Sequence, residues 1–169
     1  GYEKGKNYFA ADELWSFVRR WRDARRLSGP NVKSLVDLQD TPFVFFPLQT
    51  EPEVSLQGLS PEFVFQHAAI AALARDLPTG IRLAVKETML GVGRWPRDFY
   101  DQISSLKNVV MLDVQGPGID VVRKSKAVAV ISGTPGFEAA INGIPVISFG
   151  EHALYNFLPH VQHVTDLAN

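Results

Sequence analysis

The chain has 169 residues and 46% hydrophobic content, enough apolar material for one substantial domain core. A formal charge of -1 gives no global pull toward nucleic acid or anionic lipid, and the absence of cysteine excludes disulfides, thiolate metal sites and a cysteine nucleophile. No stretch reaches the roughly 18 apolar residues needed to cross a bilayer, and no basic-then-apolar leader opens the chain, so the expected location is the cytoplasm, with peripheral attachment to the inner membrane as the alternative.

Residues 1–40 read differently from the rest. Leu14, Phe17, Val18, Trp21 and Ala24 recur at helical spacing while Arg19, Arg20, Arg22, Arg25 and Arg26 occupy the remaining circumference, which predicts an amphipathic helix over about residues 10–28. Ser28-Gly29-Pro30-Asn31 ends it. The arginines read as a solvated helix face or a contact with another domain, and no nucleic-acid partner is expected.

From Pro42 onward apolar runs alternate with amphipathic helices. Strands are predicted at 43–46, 81–85, 109–112, 127–131 and 146–149. Helices are predicted after Ser60-Pro61-Glu62, with Phe63, Ile70, Leu73 and Leu77 inward; after Pro96, with Phe99, Ile103 and Leu106 inward; over 119–126; and after Thr134-Pro135. Parallel strands need a crossover helix to return the chain, so the pattern predicts a Rossmann-like α/β domain: a parallel sheet of about five strands with helices on both faces, over residues 41–169. Residues 1–40 are the linker or interface segment preceding it.

Ligands of such sheets collect at the carboxyl ends of the strands, and three loops there carry polar groups. The first, Pro47-Leu48-Gln49-Thr50-Glu51-Pro52-Glu53, places an amide and two carboxylates in a proline-stiffened loop, suited to sugar hydroxyls or to a base. Glu53 is the candidate catalytic residue. The second, Lys86-Glu87-Thr88-Met89, offers an ammonium for a phosphate, with Arg94 beyond the Gly91-Val92-Gly93 turn as an assistant. The third, Ser132-Gly133-Thr134-Pro135-Gly136-Phe137-Glu138, begins a helix with Thr134 as its expected cap and Pro135 at the first helical position. Its N–H groups suit phosphate oxygens, and Glu138, one turn in, suits a ribose diol. Each loop also admits a purely structural reading. Neither the P-loop pattern nor G-x-G-x-x-G is present. His67 reads as a core-edge residue, and His160 and His163 lack partners at ligand spacing, so no metal is expected.

In this order the three loops resemble the nucleotide-sugar half of bacterial capsule polysaccharide biosynthesis proteins, the family that contains the capsule Kdo transferases. FVFFPLQTEPEVS resembles the family's Pro-Leu-Gln, Pro-Glu segment, LPTGIRLAVKET its Leu-Pro, Gly, Val-Lys-Glu-His-Pro segment, and VAVISGTPGFEAAINGIPVISFG its Ser/Gly-Thr, Gly, Glu-Ala, Gly-Pro-Val segment. The likeness runs from about Phe43 to Val164.

The resemblance implies a glycosyltransferase of two Rossmann-like domains in the GT-B arrangement, with the activated sugar held mainly by the C-terminal one and neither metal nor other cofactor required. By motif position it assigns donor binding to Gln49, Glu53, Lys86, Glu87, Ser132, Gly133, Thr134, Gly136 and Glu138. Thr88-Met89 stands where the family has His-Pro. The implied partners are a nucleotide sugar such as CMP-Kdo, a glycan or glycolipid acceptor, and an N-terminal domain beyond this chain, which opens at Gly1 rather than Met and reads as part of something longer. Two other readings fit the same residues: a sugar-nucleotide 2-epimerase half, and a non-catalytic glycan- or partner-binding module with a decayed nucleotide site.

Overall fold

A computed structural model describes residues 10–29, 32–50, 66–96, 98–151 and 153–164. Helix α1 (Ala10–Arg26) and a single 3-10 turn (Val36–Leu38) precede the alternating part. There follow β1 (Phe43–Pro47), α2 (Gln66–Asp76), β2 (Arg82–Lys86), α3 (Phe99–Ser104), β3 (Val109–Leu112), α4 (Gly118–Lys124), β4 (Ala127–Val130), α5 (Thr134–Ile141), β5 (Val146–Ser148) and β6 (Val161–His163). The expected opening of α2 at Ser60-Pro61-Glu62 and the inward Phe63 lie outside the described residues.

All neighbouring strand pairs are parallel, in the order β3-β2-β1-β4-β5-β6. The sequence reading counted five strands. The sixth has only three residues, two half-buried around an exposed Gln162, too short to stand out as a periodic run. Successive strands step outward from β1 to β3, then the chain crosses back to place β4 on the other side of β1. With crossovers of one hand, that reversal sends α2 and α3 to one face and α4 and α5 to the other.

The two faces are read directly from β1, whose side chains alternate. Val44 and Phe46 join Leu83, Val85, Ala129 and Ile131 beneath Ile70, Leu73, Phe99 and Ile103. Phe43 and Phe45 join Ala84, Val128, Val130 and Val146 beneath Val121, Val122, Ala139 and Ala140. A strand buried on both sides explains why 43–46 is a continuous apolar run rather than an alternating one.

The N-terminal helix forms as predicted, and most of its apolar stripe is left open, as suits linker or interface material. Only its C-terminal end enters the core, through partly buried Ala24 and fully buried Leu27, while Leu14, Phe17 and Trp21 remain 65%, 67% and 51% exposed. The physical reason is where the helix is fastened. Arg26 pairs with Asp101 at the start of α3. A Cβ on Gly93 would come within 2.9 Å of the Arg20 Cα, so the Gly93 turn, at φ +81°, abuts the middle of the helix, and the first turns project past the sheet. Beyond α1, Lys33 bridges in parallel to Leu112 and covers the β3 edge, with the Lys33 N–H donating to the Met111 carbonyl at 2.9 Å.

These positions differ in energetic weight. Phe46→Ala should cost about 3–5 kcal/mol in urea unfolding, whereas Leu14→Ala should stay within about 0.5 kcal/mol. Equal losses at the two positions would show that the exposed face of α1 is part of the core.

Candidate functional site

The order in which strands are added across the sheet reverses between β1 and β4, and the loops that leave these strands diverge there. Gln49, two residues beyond β1, is 7% exposed, and its Nε2 lies 3.5 Å from the Ser132 Oγ beyond β4. The same amide lies against Gly133. A Cβ at that glycine would stand 2.8 Å from the Gln49 Nε2, so a larger residue there would displace the amide from this position.

Helix α5 starts beside this contact. Gly133, in extended conformation, is its cap residue and no side chain caps it, so Thr134 is the first helical residue and Pro135 the second, and the helix begins one residue earlier than the sequence pattern predicted. The expected Thr134 cap is therefore corrected: the glycine takes the extended cap conformation, and the helix begins at the threonine itself. First-turn N–H groups of a helix lack internal partners, and a proline removes one of them. The Gly136 N–H already bonds the Gly133 carbonyl at 3.0 Å.

Gly136 is buried for a packing reason. A Cβ there would lie 2.5 Å from the Tyr155 hydroxyl and 2.6 Å from Val130 Cγ2. Tyr155 crosses over the glycine, and its hydroxyl donates to the Gly133 carbonyl at 3.3 Å, with burial raising the phenol above its ordinary range. Ser132, Gly133, Thr134, Phe137, Ala153, Leu154 and Tyr155 line an open cleft of about 270 Å³. That is slightly below the roughly 300–1,000 Å³ of a complete small-molecule site, so it suits one portion of a larger ligand. Phe137 and Leu154 give it exposed apolar walls.

Glu138 lies half-buried on α5 and is not among the residues lining that cleft. Its carbonyl accepts from the Asn142 side chain at 2.7 Å, and its carboxylate has no hydrogen bond or ion pair among the described residues. Glu53 and Glu51 lie outside the described residues.

The second loop is organised separately, at the end of β2. Lys86 is buried, and its ammonium donates to the Asp113 backbone carbonyl beyond β3, which directs it away from β4. Burial lowers its pKa, while the Asp113 charge opposes that shift. Glu87 is 1% exposed and accepts four hydrogen bonds: from the Trp95 indole at 2.6 Å, the Tyr100 hydroxyl at 2.9 Å, the Thr88 N–H at 2.7 Å and the Thr88 hydroxyl at 3.5 Å. Trp95 stacks on Phe99 at a ring separation of 4.1 Å and helps keep water out. Gly91 leaves space for the carboxylate, since a Cβ there would fall 2.2 Å from Glu87 Oε1. Thr88 is exposed, and its hydroxyl meets that of Thr50 at 3.2 Å, joining the first and second loops.

The structure thus brings Gln49, Ser132, Gly133, Thr134 and Gly136 together at the reversal point. Lys86 and Glu87 belong to a neighbouring anchor of the second loop, and Arg94 bonds back to the Leu90 carbonyl at 3.0 Å. Sequence reasoning passed over Tyr155, Gln66, Trp95 and Tyr100, since none sits in a motif and each reaches its partner only through the fold. Among the described residues, no group of three or more His, Cys, Asp or Glu side chains is placed to hold a metal, and no helix is long and apolar enough to cross a membrane.

The sequence profile of the family described as capsule polysaccharide biosynthesis protein matches residues 3–159. Among solved structures, the chain is similar to KpsC from Thermosulfurimonas dismutans described as a β-Kdo 2,7 transferase, at 20% identity and TM-score 0.58 over 95% of this chain and 47% of that one. It is also similar to KpsC of the same organism described as a β-Kdo 2,4 transferase, at 17% identity and TM-score 0.54 over 96% of this chain and 52% of that one. The chain therefore spans about half the length of these two structures. No curated protein matches.

Two outcomes test this geometry. Gly136→Ala should lower stability by about 1–3 kcal/mol by thermal unfolding, with Tyr155→Phe relieving part of the loss because it removes the nearest contact. Burial, opposed by these four hydrogen bonds, raises the Glu87 carboxyl to about 7 from 4.5. The folded state then holds a proton that the unfolded chain releases, so this group's contribution falls by about 3 kcal/mol as pH rises from 4.5 through 7. Urea midpoints for Glu87→Gln should lack that decline; an unchanged pH slope would reject the assignment.

Proposed function

Because the chain belongs to the capsule polysaccharide biosynthesis protein family, we propose that it is the donor-binding domain of a glycosyltransferase that acts in capsule or surface polysaccharide biosynthesis and takes a nucleotide-activated sugar. The observation that carries the reading is the convergence of Gln49, Ser132, Gly133 and the start of α5 at the reversal point of the sheet. The phosphate would sit at the N-terminus of α5, on the Thr134 N–H, where the helix dipole favours negative charge. The base would use the apolar cleft beside Phe137 and Leu154, and Glu138 would take the ribose diol.

In transfer from such a donor, an acceptor hydroxyl forms a bond to the anomeric carbon while the bond from that carbon to the phosphate oxygen breaks. Negative charge grows on the leaving phosphate. The Thr134 N–H and the fixed dipole of α5 stabilise that charge as it develops, without the reorganisation that water would need. Glu53 remains the candidate base for the acceptor hydroxyl. CMP-Kdo is the donor we place first, because both solved structures are described as Kdo transferases. The acceptor, glycan or glycolipid, would be met by a second domain in a GT-B cleft, on the cytoplasmic side of the inner membrane.

One feature favours a second reading. Thr88, where the resemblance has histidine, is spent on Thr50 and on the Gly91 N–H, an arrangement that suits a module which binds a glycan or protein without transferring sugar.

Titration of the labelled chain with CMP and UDP should perturb resonances of residues 132–138 with weak, millimolar-range affinity and no sugar transfer. Shifts confined to residues remote from this turn would remove the site. In the full-length parent, Glu138→Ala should lower polymer synthesis at least tenfold; undiminished synthesis would favour the non-catalytic reading.

A further inference from the structure

Gln49 is held by its backbone and left incomplete at its side chain. Its N–H donates to the Gln66 Oε1 at 2.8 Å, and its carbonyl accepts from the Gln66 Nε2 at 2.8 Å. Gln66, at the start of α2, is 0% exposed, so a buried amide pairs with this peptide as a neighbouring strand would. The clamp fixes Gln49 just where β1 has run out of strand partners. The Gln49 Nε2 is engaged with Ser132, but its Oε1 is buried with no hydrogen-bond partner among the described residues. Proteins seldom leave such an acceptor unmade, and one beside the N-terminus of α5 is placed to take a donor from a ligand bound there.

A carbonyl oxygen cannot pair with a phosphate oxygen, since both are acceptors. It needs an O–H or N–H. With phosphate at the start of α5 and the ribose at Glu138 further along that helix, Gln49 stands on the β1 side of the phosphate position, the side that this pose would leave to the transferred sugar. We infer that the Gln49 side-chain carbonyl accepts a hydroxyl of the activated sugar, and that Gln66 is the positioning residue that holds it there. The inference rests on the donor-binding reading above.

Its test separates the two. Calorimetric titrations of the 169-residue chain would use CMP with CMP-Kdo and UDP with UDP-N-acetylglucosamine. Gln49→Met, which leaves the peptide clamp in place, should weaken the preferred sugar nucleotide about tenfold and its bare nucleotide less than twofold, the effect expected of one lost hydrogen bond. Gln66→Met should reduce the same preference. A general loss of structure would instead weaken both ligands together, and the Gln49 variant keeps the test decisive if Gln66→Met does not fold. Equal weakening of both ligands by Gln49→Met, or no weakening, would overturn the sugar contact. Failure of the unaltered chain to bind any of the four would overturn the donor-binding reading itself.

Discussion

Strand β1 is the constraint on which the rest depends. It is the middle of the ladder, pairing with β2 from Phe43 to Pro47 and with β4 at Val44 and Phe45, and it supplies side chains to both cores. The register with β4 is short because the chain leaves β1 on one side toward β2 and returns on the other from β3. Hydrogen bonding between the central strands therefore stops before their loops do, and the gap is spanned by side chains. Gln49 and Ser132 make that span. The candidate site follows from the topology, before any particular residue chemistry is considered.

The polar groups above the sheet meet the cost of burial in different ways. Gln66 and Gln49 satisfy one another as neutral amides, which avoids the larger desolvation cost of charge. Glu87 takes the harder route, collecting an indole, a phenol and a peptide N–H around one carboxyl that burial still pushes up to about 7. Lys86, next to it, turns its charge to a main-chain carbonyl. Adjacent residues of one motif thus serve different faces: alternation along β2 sends their side chains to opposite sides. A motif read as a unit in sequence need not remain one in space.

Legibility followed the length of each signal. The apolar runs at 43–46, 109–112 and 127–131 declared their strands because both faces of each are buried, and the alternation with helices declared a parallel sheet. Glycines at 133 and 136 were read as permitting close approach, and the approach is there, though Gly136 yields to Tyr155 and Val130. What sequence did not disclose is long-range. Gln66 bonds a peptide 17 positions earlier and Tyr155 a carbonyl 22 positions earlier, and neither neighbourhood has a pattern that names its partner. The apolar stripe of α1 was legible as a stripe and as linker or interface material, and the sheet leaves it open. Periodicity reports that a face seeks cover and is silent about what provides it.

The edges of the sheet bear on how the chain behaves in company. A parallel sheet ends in two rows of unpaired peptide groups, each able to recruit a foreign strand. Here one row is occupied by Lys33, and the other belongs to a three-residue β6 that offers only a brief template. Growth of the sheet by strand addition is thereby restrained at both ends among the described residues. The adhesive part of the surface is instead the helical one, where Leu14, Trp15, Phe17 and Trp21 stand open. Such contacts are non-directional and answer to mild detergent, so precipitates of this chain should dissolve again in their folded form rather than mature into fibrils.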